Sequence, residues 1–167
     1  MRYILLLRHA KSSWEHFSLD DFDRPLSKRG LKDAPKMGKF LRNTGYIPEY
    51  VVSSPAKRAK QTTTLCLEGM QSDEDMVTWN RGLYFETVNK YMEAIQEAPS
   101  DYEKIMIVGH NPLIEATATI LTGGKEKAAF RVPTAGLICL ETHALEWSDI
   151  NFGTCEVKWM MIPKILQ

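Results

Sequence analysis

Three short apolar runs, residues 3–7, 50–53 and 104–108, constrain this chain more than any other feature. Each is apolar at nearly every position, not at alternate ones, which suits a strand covered on both faces. Between them lie stretches with helical spacing. Residues 27–43 predict a helix with Ser27 as cap and Leu31, Ala34, Met37, Gly38 and Leu41 on one face, and Gly45 follows its end. Pro35 predicts a kink or a later start there. A second helix is expected from Ser54-Pro55 to about Leu67, with Pro55 at its first position, and others over 87–98 and 112–121. A short strand fits 76–79. Residues 11–26 are polar and read as a loop. Residues 136–141 and 155–161 read as strands joined by a polar turn around 148–153, an antiparallel addition.

Strand and helix alternate, so the expected fold is α/β: a mainly parallel central sheet flanked by helices on both faces, a three-layer sandwich. No repeat, linker or low-complexity segment interrupts residues 1–167, which predicts one domain. Lys plus Arg and Asp plus Glu are 21 each, so no basic coat exists for nucleic acid. The three cysteines, Cys66, Cys139 and Cys155, are an odd number without CxxC spacing, which predicts reduced thiols, no zinc site and no disulfide framework. The first apolar run is far shorter than the roughly 20 residues of a membrane span or the core of a signal peptide. A cytoplasmic location away from membranes is therefore expected.

Each of the three runs ends on a polar cluster: Arg8-His9, then Ser53-Ser54-Pro55-Ala56-Lys57-Arg58, then Gly109-His110-Asn111-Pro112. Ligands of parallel sheets bind outside the carboxyl ends of the strands, where helix N-termini favour phosphate. Two arginines and two histidines would meet there. Arginine forks match phosphoryl oxygens, and a neutral imidazole can attack phosphorus through one nitrogen while the other donates to a fixed acceptor. Phosphoryl transfer needs mainly positioning and charge neutralisation, so cations can stand in for a metal. His16 and His143 belong to no such cluster, and Lys57 and Lys60 read as solvated helix positions.

These residues resemble the histidine phosphatase superfamily. Leu6-Leu7-Arg8-His9-Ala10 is similar to its signature. Residues 53–62 are similar to its second motif, Val108-Gly109-His110-Asn111-Pro112 to its third, and 23–30 to the segment before its first helix. The short chain resembles the small SixA-type phosphohistidine phosphatase branch, with a phosphoglycerate mutase-like fold. The resemblance implies that His9 is a nucleophile that carries a transient phosphoryl group. It also implies that Arg8, Arg58 and a protonated His110 hold the phosphoryl oxygens, with no cofactor. Glu86 lies where larger relatives place an acid, and Asp21 follows His9 in the loop; these two are the candidate general acids. The implied partner is a phosphorylated protein bearing phosphohistidine, in signal transduction, or a small phosphomonoester. A phosphomutase and a non-catalytic phosphohistidine-binding module are the alternatives. Most of Trp14, Trp79, Trp147 and Trp159 are expected in the core.

Overall fold

The computed structural model describes residues 1–125 and 128–166. Along the chain run β1 (Arg2–Arg8), α1 (Lys28–Thr44), β2 (Tyr50–Ser53), α2 (Lys57–Met70), β3 (Val77–Trp79), α3 (Val88–Gln96), β4 (Lys104–Gly109), α4 (Leu113–Leu121), β5 (Leu137–Thr142) and β6 (Glu156–Met161). The strands form one sheet in the order β3-β2-β4-β1-β5-β6. The first four in that order are mutually parallel. β5 runs against both β1 and β6, which makes the antiparallel edge expected from the last two apolar segments.

The three layers follow from strand geometry. Side chains alternate across a strand, so a wholly apolar strand needs cover on both sides. Ile4 and Leu6 of β1 join one apolar cluster with Tyr91 and Ile95 of α3 and Ile114 and Ala118 of α4. Leu5 and Leu7 join the other, with Ala34, Met37 and Leu41 of α1 and Cys66, Leu67 and Met70 of α2.

Ser27 caps α1, its Oγ accepting from Gly30 N at 3.2 Å. Pro35 lies inside α1 without ending it. The backbones of α1 and α2 meet closely near that proline. A Cβ on Gly38 would stand 2.0 Å from the Cys66 carbonyl oxygen, and one on Gly69 would stand 2.3 Å from the Pro35 carbonyl oxygen. Two bare Cα atoms therefore set how near these helices pack.

Several expectations shift. Leu31 is 45% exposed, because the buried stripe of α1 runs through Gly30, Asp33, Ala34, Met37 and Leu41. α2 begins at Lys57, two residues beyond Pro55, and continues to Met70. Of the tryptophans only Trp147 is buried; Trp14 is 67% exposed.

For function, the useful consequence is adjacency. β2, β4 and β1 are neighbours in register, pairing Arg8 with Gly109 and Ser53 with Val108. Their carboxyl ends therefore open on one edge of the sheet, and β3 ends beside them.

Candidate active site

His9 follows β1 and is anchored from both sides. Its N–H donates to the Gly109 carbonyl at 3.0 Å, and its own carbonyl accepts from Ala135 N at 3.0 Å. The imidazole is 7% exposed. Its Nδ1 lies 2.7 Å from the carbonyl oxygen of Ala10. A carbonyl can only accept, so Nδ1 carries the proton and Nε2 keeps its lone pair. Ala10 is fixed in turn: its N–H donates to Thr62 Oγ1 at 2.9 Å, and that hydroxyl donates to the Arg58 carbonyl at 2.7 Å.

His110 comes from the end of β4, its ring centroid 5.1 Å from that of His9. Its N–H donates to the Tyr91 hydroxyl at 3.0 Å, and its Nε2 meets Ser54 Oγ at 2.8 Å. Arg58, in the first turn of α2, is 1% exposed. Arg8 Nη1 donates to the Val132 carbonyl at 3.0 Å. Burial lowers the Arg8 guanidinium from its ordinary value, opposed by the Glu115 carboxylate. Arg8 Nε, Arg58 Nε and His110 Nδ1 are all buried without a hydrogen-bond partner. Buried polar nitrogens left unpaired cost free energy, and their concentration here marks a place built to receive acceptor oxygens. The chain thus brings together His9, Arg8, Arg58 and His110 from positions a hundred residues apart.

The two candidate acids fare differently. Asp21 reaches the site as an acceptor. Its Oδ2 takes hydrogen bonds from Arg58 Nη2 at 2.9 Å and from the Tyr84 hydroxyl at 2.6 Å, and its Oδ1 takes one from Arg24 Nη2 at 3.1 Å. Partial burial pushes its carboxyl up, but these three donors outweigh that and hold it well below the usual carboxylate range. Near neutrality Asp21 is ionised and has no proton to give. Glu86 is exposed and pairs with none of these groups. Its neighbour Phe85 takes the place beside His110, with ring centroids 4.9 Å apart. Phe85 has φ 47°, a left-handed backbone uncommon for a bulky residue, and its ring stays half exposed beside His110. Tyr84 closes the same side, 5.5 Å from His110. His16 and His143 are exposed.

Burial pushes the His9 imidazole down to about 4, opposed by its bond to Ala10 and reinforced by Arg58 and Arg8. Burial also pushes His110 down to about 3, with His9 and Arg58 adding to it. Both rings are therefore neutral at pH 7 in the empty site, and a protonated His110 belongs to the phosphoryl-bound state, where the dianion would raise it. The folded values lie below the ordinary 6.5, so the unfolded chain binds more protons between about 4 and 6.5. Stability is complete above that window and is lost as pH falls through it. Thermal melts should hold a constant Tm above pH 7 and decline from pH 6.5 to 4. In a His9→Asn, His110→Asn protein that slope should flatten; an equal slope in both would contradict the assignment.

A cavity of about 560 Å³ lies outside this cluster, lined among others by Phe22, Leu31, Lys57, Lys60 and Leu65. None of the four gathered residues lines it. Among the described residues no group of three or more His, Cys, Asp or Glu side chains is placed to hold a metal ion. No described helix is long and apolar enough to cross a membrane.

The sequence model of the histidine phosphatase superfamily (branch 1) matches residues 4–84. An uncharacterised chloroplastic protein of Arabidopsis thaliana is 32% identical over 160 residues, covering 89% of this chain and 70% of its own length. The structure of a protein of Agrobacterium tumefaciens assigned as the phosphohistidine phosphatase SixA superimposes with a TM-score of 0.80. It is 26% identical and covers 97% of this chain and 98% of that one. A 2,3-bisphosphoglycerate-dependent phosphoglycerate mutase of Streptomyces avermitilis is 37% identical over 67 residues, which is 39% of this chain and 26% of the mutase. On motif order, fold and these likenesses, the chain belongs to the histidine phosphatase superfamily, in its SixA-type branch, with a phosphoglycerate mutase-like fold.

Proposed function

We propose that this protein is a phosphatase that carries the phosphoryl group on His9 before passing it to water. One observation carries the reading: His9 Nδ1 is committed to the Ala10 carbonyl at 2.7 Å, which leaves Nε2 as a lone-pair nucleophile beside His110 and the buried Arg58 guanidinium. In the first step Nε2 attacks phosphorus, a P–N bond forms, and the bond to the leaving group breaks. In the second, water attacks phosphorus, the P–Nε2 bond breaks, and inorganic phosphate departs. Arg8, Arg58 and His110 hold the equatorial oxygens, where charge must be met by fixed donors. The two guanidiniums supply the neutralisation, so the reaction is read as metal-independent.

Phosphohistidine on a protein is the substrate class favoured. Alkyl phosphates need a general acid, because their leaving oxygens are strongly basic. Asp21 is an acceptor only, and Phe85 faces His110 where Glu86 was the candidate. A P–N bond to imidazole needs little such help. Exposed Trp14, Phe17 and Phe85 lie on the loops that reach this edge and suit a protein surface, and their exposure argues against the cover a phosphomutase needs to retain its intermediate. The three buried, free thiols fit a reducing compartment such as the cytoplasm. Residues 1–167 would act as one domain.

The test compares phosphate release from phosphohistidine, an aryl phosphate and alkyl or sugar phosphates. Release from the alkyl esters should be slower by about 10²–10⁴-fold, the usual worth of a general acid. EDTA should change nothing. Equal rates across the three classes would reject the substrate assignment. Phosphate-site affinity without release from any of them would favour the binding module.

A further inference from the structure

We propose that Asp21 is a positioning residue for Arg58, clasping one edge of the guanidinium so that the edge carrying Nε–H is presented to the phosphoryl group; the proposal rests on the phosphatase reading for what binds there. A guanidinium offers two forks. One is made by an N–H from each Nη, and the other by Nε–H with the neighbouring Nη–H. Asp21 takes the first fork completely. Its backbone carbonyl accepts from Arg58 Nη1 at 2.7 Å, and its carboxylate accepts from Nη2 at 2.9 Å. Nε–H is left buried without a partner. Arg8 and Arg24 repeat the pattern, Arg8 with Nη1 on the Val132 carbonyl and Arg24 with its Nη groups on Ser12 and Asp21, each leaving a buried Nε unpartnered. In all three arginines the protein spends an Nη on the scaffold and spares Nε.

The clasp is itself held. Tyr84 donates to the same carboxylate oxygen as Arg58, and Arg24 donates to the other. Arg24 is fixed by Ser12 Oγ and by the Trp14 ring, 3.9 Å from its guanidinium carbon. Thus the loop after β1, the segment after β3 and the start of α2 converge on one side chain. Holding a long, flexible arginine in one rotamer removes an ordering cost that a phosphoryl group would otherwise bear on binding. Two other roles for Asp21 make different predictions. A general acid would matter only for poor leaving groups. A competing anion would weaken phosphate binding by occupying Arg58.

The experiment measures inorganic phosphate affinity by calorimetry and aryl phosphate hydrolysis for Asp21→Ala, Asp21→Asn and Tyr84→Phe. Each is made alone and combined with Arg58→Ala, with melting curves to verify folding. Positioning predicts about 10-fold or more weaker phosphate binding and slower turnover for Asp21→Ala, the scale of a lost charged hydrogen bond. It predicts partial recovery in Asp21→Asn, whose amide oxygen still accepts, and a smaller loss in Tyr84→Phe. In the Arg58→Ala background all three should have no further effect. Tighter phosphate binding in Asp21→Ala would overturn the proposal, as would additivity with Arg58→Ala or a loss confined to poor leaving groups. If Asp21→Ala does not fold, Tyr84→Phe decides by the same cycle. The binding arm needs no turnover, so it is read even if no substrate is hydrolysed. Acid-labile labelling of His9 tests the phosphatase reading separately.

Discussion

Replacing His9 by alanine should stop phosphate release, lowering turnover by at least about 10⁴-fold, because the first bond to phosphorus then has no atom to form it. The change should leave the fold intact. The anchors at this position are main-chain bonds to Gly109 and Ala135, which alanine keeps. Unchanged circular dichroism beside absent product would therefore mean lost chemistry. Radiolabelled substrate should mark the native protein with an acid-labile phosphoryl group and leave His9→Ala unmarked. Full activity in His9→Ala would remove the mechanism.

Arg58→Ala should also be severe, costing about 10²–10³-fold in turnover, in line with the removal of a fixed donor to a developing anion. Arg58→Lys should restore little. A lysine ammonium is a single point of charge and cannot hold Asp21 with two nitrogens while offering a third to the phosphoryl group. Steady-state kinetics on an aryl phosphate separate the outcomes. A lysine variant within a factor of a few of the native rate would show that charge alone matters there.

Much of this site could be read from the chain before any coordinates. Arg8, His9 and His110 stand directly after apolar runs and Arg58 opens the helix that follows another, and a parallel sheet places such positions along one edge. The acid could not be read in the same way. Glu86 and Phe85 differ by one position, and it is Phe85, on a left-handed backbone that no apolar periodicity encodes, that stands beside His110. The role of Asp21 was hidden for another reason. It depends on Arg58 and Tyr84, 37 and 63 residues away, whose approach exists only once the sheet has formed. The apolar stripe of α1 was misplaced at Leu31 because Gly30, not a large side chain, meets the backbone of Lys11. Asp33 turns inward on the same helix face and pairs with Arg29 at 3.7 Å.

The segment between β1 and α1 is closed at its base like the neck of a purse. Ser27 N donates to the Lys11 carbonyl at 2.8 Å, Ser13 N donates to the Pro25 carbonyl at 2.8 Å, and Leu26 N donates to Gln61 Oε1 at 2.8 Å. Residues 14–20 beyond that neck are solvent-facing. Since the neck already brings the ends together, lengthening the tip costs little chain entropy, about 0.6 kcal/mol per doubling. New sequence grafted between Glu15 and Ser18 can therefore change what approaches the mouth of the pocket while the phosphoryl machinery beneath stays in place. This is the natural point from which to retune the choice of target without rebuilding the chemistry.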